Sequence, residues 1–173
     1  MEVVNYTANH VLARVTEVDG FVWFMTGFYG WSETQQKFKS WKLLEHLKTY
    51  VEVPWLCFGD FNAILHSSEK QSTRQPHIAK INAFREALES CQLEDLGYKG
   101  YTFTWTNKRA GDANAKLRLD RAVATMGWLD NFLISNVVHL FPHASNDIPI
   151  TIHVQKFRQK HRRADWGFKF EES

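Results

Sequence analysis

One short run constrains this chain more than any other. Val53-Pro54-Trp55-Leu56-Cys57-Phe58 is apolar at every position, so as a strand it has no polar face to turn to water. Such a strand is covered on both sides, and a sheet covered on both faces demands a layered architecture. The run stops at Gly59-Asp60-Phe61-Asn62, which sets a carboxylate and an amide two residues apart at the end of a buried strand. Ligands of covered sheets gather at strand ends, so Asp60 and Asn62 are the first candidate site residues. The same tetrapeptide also suits an Asx-type turn that merely ends the strand.

The flanking sequence fills in the layers. Residues 11–17 and 21–29 are rich in β-branched and aromatic side chains and are separated by Asp19-Gly20, which predicts a β-hairpin. Ser32 and Gln35 form a capping-box pattern, and Phe38, Trp41, Leu44 and Leu47 then recur along one face, predicting an amphipathic helix over 33–50. Ile78, Ile81, Phe84, Leu88 and Cys91 predict a second helix with Pro76 near its start, after a polar, mobile loop over 67–75. Beyond Leu93 the pattern is of short strands, at 101–106, 115–123, 135–141 and 148–154, with a short helix at 128–132 between them. At 173 residues this amounts to one domain over 1–155, of α/β or α+β class, followed by a basic and aromatic tail or linker over 156–173.

Charge and cysteines narrow the function classes. Lys and Arg number 21 against 19 Asp and Glu, so no global basic field holds nucleic acid, and any such contact is local. The local candidate is the segment containing Lys156, Arg158, Lys160, Arg162 and Arg163, which equally suits a solvated tail. Cys57 and Cys91 sit in apolar runs and read as buried free thiols of an intracellular protein, nuclear or cytoplasmic. No apolar run is long enough to span a membrane, and the seven Trp are read as core. In Lys116-Leu117-Arg118-Leu119-Asp120-Arg121, strand alternation puts Arg118 and Asp120 on one face. Asp120 is therefore either a site carboxylate or half of a surface ion pair with Arg118 or Arg121.

Taken in order, Gly59-Asp60-Phe61-Asn62, Leu93-Glu94-Asp95-Leu96-Gly97, Thr102-Phe103-Thr104-Trp105-Thr106-Asn107, Arg118-Leu119-Asp120-Arg121 and Ser145-Asn146-Asp147-Ile148-Pro149 resemble the endonuclease/exonuclease/phosphatase superfamily. More closely, they resemble the apurinic-type endonuclease domain of plant LINE-type (non-LTR) retrotransposons, and Phe168-Lys169-Phe170-Glu171 resembles the phrase that follows that domain. The resemblance implies a DNase I-like four-layer sandwich, two mixed β-sheets flanked by helices, and phosphodiester hydrolysis of DNA with Mg²⁺ or Mn²⁺. It implies that Asp60 orients the attacking water, Asn62 holds the phosphate, Tyr29 donates to it, and Asp120 orients the catalytic His.

Two departures from the family pattern oppose catalysis. The expected Ser-Asp-His-x-Pro reads Ser145-Asn146-Asp147-Ile148-Pro149, with Asp147 at the His position and Asn146 at the metal-site carboxylate. The chain also opens after the point where the family's first strands and principal metal-binding Glu are expected. A carboxylate facing Asp120 and an anionic substrate raises a pKa or expels the ligand, and a site stripped of carboxylates holds a hard cation weakly or not at all. Missing first strands leave residues 11–29 as an uncovered sheet edge, which predicts self-association. Three functions follow: a degenerate, at most nucleic-acid-binding relative of the nuclease, an active metal-dependent endonuclease, or a recruited protein-interaction module. The first is the one these departures favour.

Overall fold

The computed structural model describes residues 1–52, 54–141 and 145–156. Its strands are β1 (Glu2–Thr7), β2 (His10–Thr16), β3 (Val22–Tyr29), β4 (Trp55–Asp60), β5 (Lys70–Gln71), β6 (Glu94–Asp95), β7 (Lys99–Gly100), β8 (Trp105–Thr106), β9 (Lys116–Leu117), β10 (Asp120–Ala124), β11 (Asn136–His139) and β12 (Ile150–His153). The helices are α1 (Lys37–Lys48), α2 (Ile78–Ser90) and α3 (Met126–Asn131). The main sheet has six strands in the order β1-β2-β3-β4-β10-β6. Its β3–β4 pair is parallel and its other pairs are antiparallel. The parallel pair is joined through α1, as a parallel connection requires a crossover. Two three-stranded pieces, β12-β11-β7 and β5-β9-β8, make up the remaining sheet structure, so the fold is mixed α/β with several mixed sheets.

The apolar run that opened the sequence reading explains the stacking. Trp55 and Cys57 pack with Leu44 and Leu47 of α1 and Phe84 and Leu88 of α2, whereas Leu56 packs on the opposite face with Trp23, Trp128, Phe132 and Val137. Burying each of these large side chains contributes about 1.5–3 kcal/mol. The one polar atom of Trp55 is satisfied, since its indole N–H donates to the Thr26 hydroxyl at 2.9 Å. Cys57 and Cys91 are both buried free thiols. No helix among the described residues is long and apolar enough to cross a membrane.

Several sequence expectations need correcting. The strand does not stop at Phe58 but runs on through Asp60. The Ser32/Gln35 capping box does not form: a 3-10 turn at Thr34–Gln36 leads into α1, and no side chain caps either element. Phe38 and Ile78, assigned to buried helix faces, are 52% and 58% exposed. The loop over 67–75 is partly ordered by a 3-10 turn at Ser67–Glu69 and by β5, and Glu69 is buried. Residues 115–123 form two strands, because the chain breaks at Arg118-Leu119. Finally, residues 11–29 are not an uncovered edge, since β1 pairs with β2 along its length. The edge is β1 itself, whose side chains are mostly exposed on both faces and so carry no alternation to read.

Candidate functional site

The backbone brings the predicted residues to one end of the main sheet. Asp60 ends β4 and lies opposite Asp120 across the antiparallel β4–β10 pair, and opposite Tyr29 across the parallel β3–β4 pair. Alternation then puts all three on the sheet face that carries Leu56, Phe58 and Ala122. Glycine is required just before Asp60: Gly59 has φ of 135°, and a Cβ there would stand 2.2 Å from the Phe28 carbonyl oxygen. Gly30 is similarly confined, its would-be Cβ 2.6 Å from the Phe61 carbonyl oxygen. The chain can pass from β4 into the site only because these two positions lack side chains.

Asn62 takes a left-handed conformation at φ 53°. Its backbone N–H donates to Asp60 Oδ1 at 2.7 Å, and its amide donates to Asp60 Oδ2 at 3.0 Å and to the Gly30 carbonyl at 2.9 Å. This is an Asx-type turn, and it directs the amide hydrogens of Asn62 inward. Lys37, from the start of α1, donates its ammonium to the Asn62 carbonyl. Sequence reasoning missed Lys37, for which a lysine in the first turn of an amphipathic helix gives no signal.

Asp120 is held through Thr104. The buried Thr104 hydroxyl accepts the backbone N–H groups of Leu119 at 2.8 Å and Asp120 at 2.9 Å. The loop bearing Asp147 docks on the same strand region: Ile148 N–H donates to the Thr104 carbonyl at 2.8 Å, Thr106 N–H donates to the Asn146 carbonyl at 3.0 Å, and Trp105 bridges Asp147. Thr104 lies within the quoted Thr-Phe-Thr-Trp motif, but the motif alone does not reveal its position under Asp120. Burial raises the Asp120 carboxyl to about 6, with Asp60 and Asp147 adding to the rise and a Thr104 hydrogen bond opposing it. Burial likewise raises Asp60, with Asp147 adding and Asn62 and Lys37 opposing. Like charge thus adds to burial at both Asp60 and Asp120, and the cations nearby do not cancel it.

The arginines beside Asp120 do something else. Arg118 and Arg121 do not pair with Asp120; both bind the buried Glu69 and Asp95, at 2.6–3.0 Å. The chain break at Arg118-Leu119 is the reason, for it turns Arg118 inward and overrides the alternation expected of one continuous strand. The Arg118 and Arg121 guanidinium groups also lie over the rings of Tyr98 and Phe84, at 4.6 and 5.2 Å.

The remaining candidates differ in exposure and place. Tyr29 is 54% exposed, and Asn146 and Asp147 are exposed. Lys156 donates to Asp19 and lies 4.3 Å above the Phe21 ring, at the start of β3. Tyr29 is at the other end of that strand, roughly 25 Å away by strand rise. Arg158, Lys160, Arg162 and Arg163 lie outside the described residues. Among the described residues, no three His, Cys, Asp or Glu side chains form a group that could hold a metal ion, and both carboxylate oxygens of Asp60 already accept hydrogen bonds from Asn62.

The fold has close structural counterparts. The chain superposes on the endonuclease domain of TRAS1, a telomere-specific non-LTR retrotransposon, with a TM-score of 0.62 and 18% identity over 91% of this chain and 70% of that one. It superposes on the 3′ phosphatase NExo from Neisseria, bound to a product DNA hairpin, with a TM-score of 0.63 and 15% identity over 85% and 65% of the two chains. The AP endonuclease LMAP from Leishmania major gives a TM-score of 0.59 and 14% identity over 83% and 54%. No protein-family model matches the sequence, and no curated protein matches it. The chain thus spans only 54% to 70% of the lengths of these three structures. At such identities the likeness establishes the fold, which is DNase I-like.

Proposed function

We propose that this chain is a DNase I-like relative of non-LTR retrotransposon endonucleases that has lost phosphodiester hydrolysis and retains, at most, contact with nucleic acid. The observation that carries the reading is the placing of Asp60 opposite Asp120 across β4 and β10, with the Asp147 loop docked on Trp105 and Thr104 beside them. Where the resemblance calls for an imidazole oriented by Asp120, the chain has a third carboxylate. A carboxylate gives no hydrogen bond to a developing phosphorane charge, and hydrolysis depends on donors aimed at that charge. On this reading the chain also holds a divalent ion weakly, which removes the other source of such stabilisation. DNA is the partner this reading assigns, supported by the fold and by the DNA-bound neighbour.

The test is nicking of supercoiled plasmid and of an abasic duplex, with Mg²⁺ or with EDTA, comparing the chain with its Asp60→Ala variant. The expected result is no cleavage by the chain above the variant, with duplex retained in a filter-binding assay of the same samples. Metal-dependent cleavage that Asp60→Ala abolishes would overturn the loss of hydrolysis, and absence of retention would remove the nucleic-acid partner.

A second reading, self-association, is favoured by β1. The β1 residues Val3 and Tyr6 lie opposite Ala13 and Val11, which puts Val3, Tyr6 and Val11 on one face, 54%, 73% and 47% exposed. The strand carries no Lys or Pro to discourage pairing. Light scattering should detect dimers that Tyr6→Lys disperses, and a monodisperse monomer would end this reading.

A further inference from the structure

A groove of 400 Å³ lies between the first halves of α1 and α2. Its floor is Trp41, Ile81, Leu117 and Leu119, and its rim carries Lys37, Lys70 and Lys80. None of its lining residues is acidic, and none of the three lysines forms an ion pair among the described residues. We infer that this groove docks an acidic segment of a partner protein, with an aliphatic or aromatic side chain of that segment seated between the helices. The inference does not depend on the nucleic-acid reading.

The first support is the pattern of the two helices. The apolar periodicity of α1 and α2 assigns Phe38 and Ile78 to buried faces, yet both are exposed. Phe38 lines the groove, and Ile78 lies between the lining residues His77 and Ala79. Two apolar positions that continue core faces into solvent, on two helices and beside one groove, describe a surface that another chain completes. Below them Trp41 stacks on Phe84, the ring centroids 4.7 Å apart. An apolar groove between two helices is a familiar seat for a peptide's apolar anchors.

The second support is charge. Lys37 is half-buried, and burial depresses its ammonium, with Lys80 contributing in the same direction and Asp60 and Glu33 opposing. Lysines that crowd one another around an apolar floor are complementary to an anionic partner. The groove's chemistry separates a peptide from a nucleotide. A base entering it needs partners for its polar edge, but the floor side chains are hydrocarbon apart from one indole. The Asn62 amide at the margin is already engaged by Asp60 and Gly30. Polar edges buried without partners are costly, whereas Leu or Phe seats there freely while flanking carboxylates meet the lysine rim.

The test uses the full chain and fluorescence anisotropy. The probe is a short fluorescein-labelled peptide alternating Glu with Leu and Phe. Two comparison probes accompany it: the same peptide with Ser in place of Leu and Phe, and a single-stranded oligothymidine of equal charge. The acidic apolar peptide should bind, and Phe38→Ser or Lys80→Glu should weaken it by about tenfold, the range of an interface anchor. Lys99→Ala, exposed and outside the groove lining, should leave it unchanged. Phe38 and Lys80 are exposed, so circular dichroism of those two variants should match the parent. Equal binding of the Ser peptide would overturn the inference, because only net charge would then be at work. Oligothymidine binding that Phe38→Ser abolishes, or no peptide binding at all, would overturn it as well.

Discussion

Two clusters of ionised groups meet at the start of β10, and they are opposites. Arg118 and Arg121 flank Asp120 in sequence, yet their guanidinium groups close a four-member cage with Glu69 and Asp95. Two positive charges there face two negative ones in a buried setting. Asp120, between them, faces Asp60 and Asp147 instead. Burial alone would raise Glu69 and Asp95, but the arginines outweigh it and hold both carboxyls below their ordinary value. In the other cluster burial and like charge act together and push Asp120 up to about 6. A compensated cluster anchors a fold, whereas an uncompensated one is tolerated at a cost. The cage fixes the start of β10 against Glu69 and Asp95, whereas the acids leave Asp120 and Asp60 with raised carboxyls at the sheet end.

Breaking the cage should have the largest effect. Arg121 is fully buried and binds both acids, so Arg121→Ala leaves Glu69 and Asp95 without one of their two cations. The expected loss is about 3–5 kcal/mol of stability, measured by urea denaturation at neutral pH. A loss under ~1 kcal/mol would mean that the cage behaves like an exposed ion pair and that the comparison is mistaken.

The two clusters should also answer pH with opposite signs. Asp120 has a folded-state pKa above its unfolded value, so its contribution is fully present below the unfolded pKa and is lost as pH rises through about 6. For Glu69 and Asp95 the folded values are depressed, so their contribution is present above the unfolded pKa and is lost as pH falls through the folded one. Asp120→Asn should therefore stabilise the chain by about 3 kcal/mol at pH 7, with the gain vanishing near pH 4. Denaturation midpoints of the parent and Asp120→Asn across that range test this. A constant difference between the two proteins would show that Asp120 does not titrate in that window.

How much of this was legible in the sequence follows from what kind of signal each feature leaves. The two-sided burial of Trp55, Leu56 and Cys57 was legible because an apolar run without a polar face has few places to go. Asp60, Asn62 and Asp120 were legible as a motif, and their meeting at one sheet end follows from β4 and β10 pairing in register. Glu69 was not, because a buried acid in a polar loop has no periodicity and its partners are 49 and 52 residues away. Arg118 misled, since alternation assumes an unbroken strand and the break at Arg118-Leu119 leaves no mark in composition. Phe38 and Ile78 misled in a more useful way, for the helical period was correct but a period assigns a face and not its cover, and both lie exposed. β1 escaped notice because a strand exposed on both faces has no apolar face to advertise it.

The smallest expected effect separates the contributions within the acid cluster. Burial is the larger cause of the rise at Asp120, and Asp147 is a secondary one acting from an exposed loop. Replacing Asp147 by Asn keeps the side-chain size and removes its charge, so the carboxyls of Asp120 and Asp60 should both titrate lower than in the parent. The shift at Asp120 should be modest, because burial and the neighbouring Asp60 remain and an exposed charge is screened. Carboxyl-carbon NMR titration of the parent and Asp147→Asn reads this directly, and stability at neutral pH should rise by ~1 kcal/mol or less. If Asp120 instead returned to an ordinary carboxyl value, the charge of Asp147 rather than burial would be the main cause. If it did not move, the Ser145-to-Ile148 loop would not hold its acid against the strand ends, and the third carboxylate would drop out of the site. Asp147→His carries the test one step further: an imidazole there should lower Asp120 more than Asn does, because Asp120 would then face a group able to carry the opposite charge.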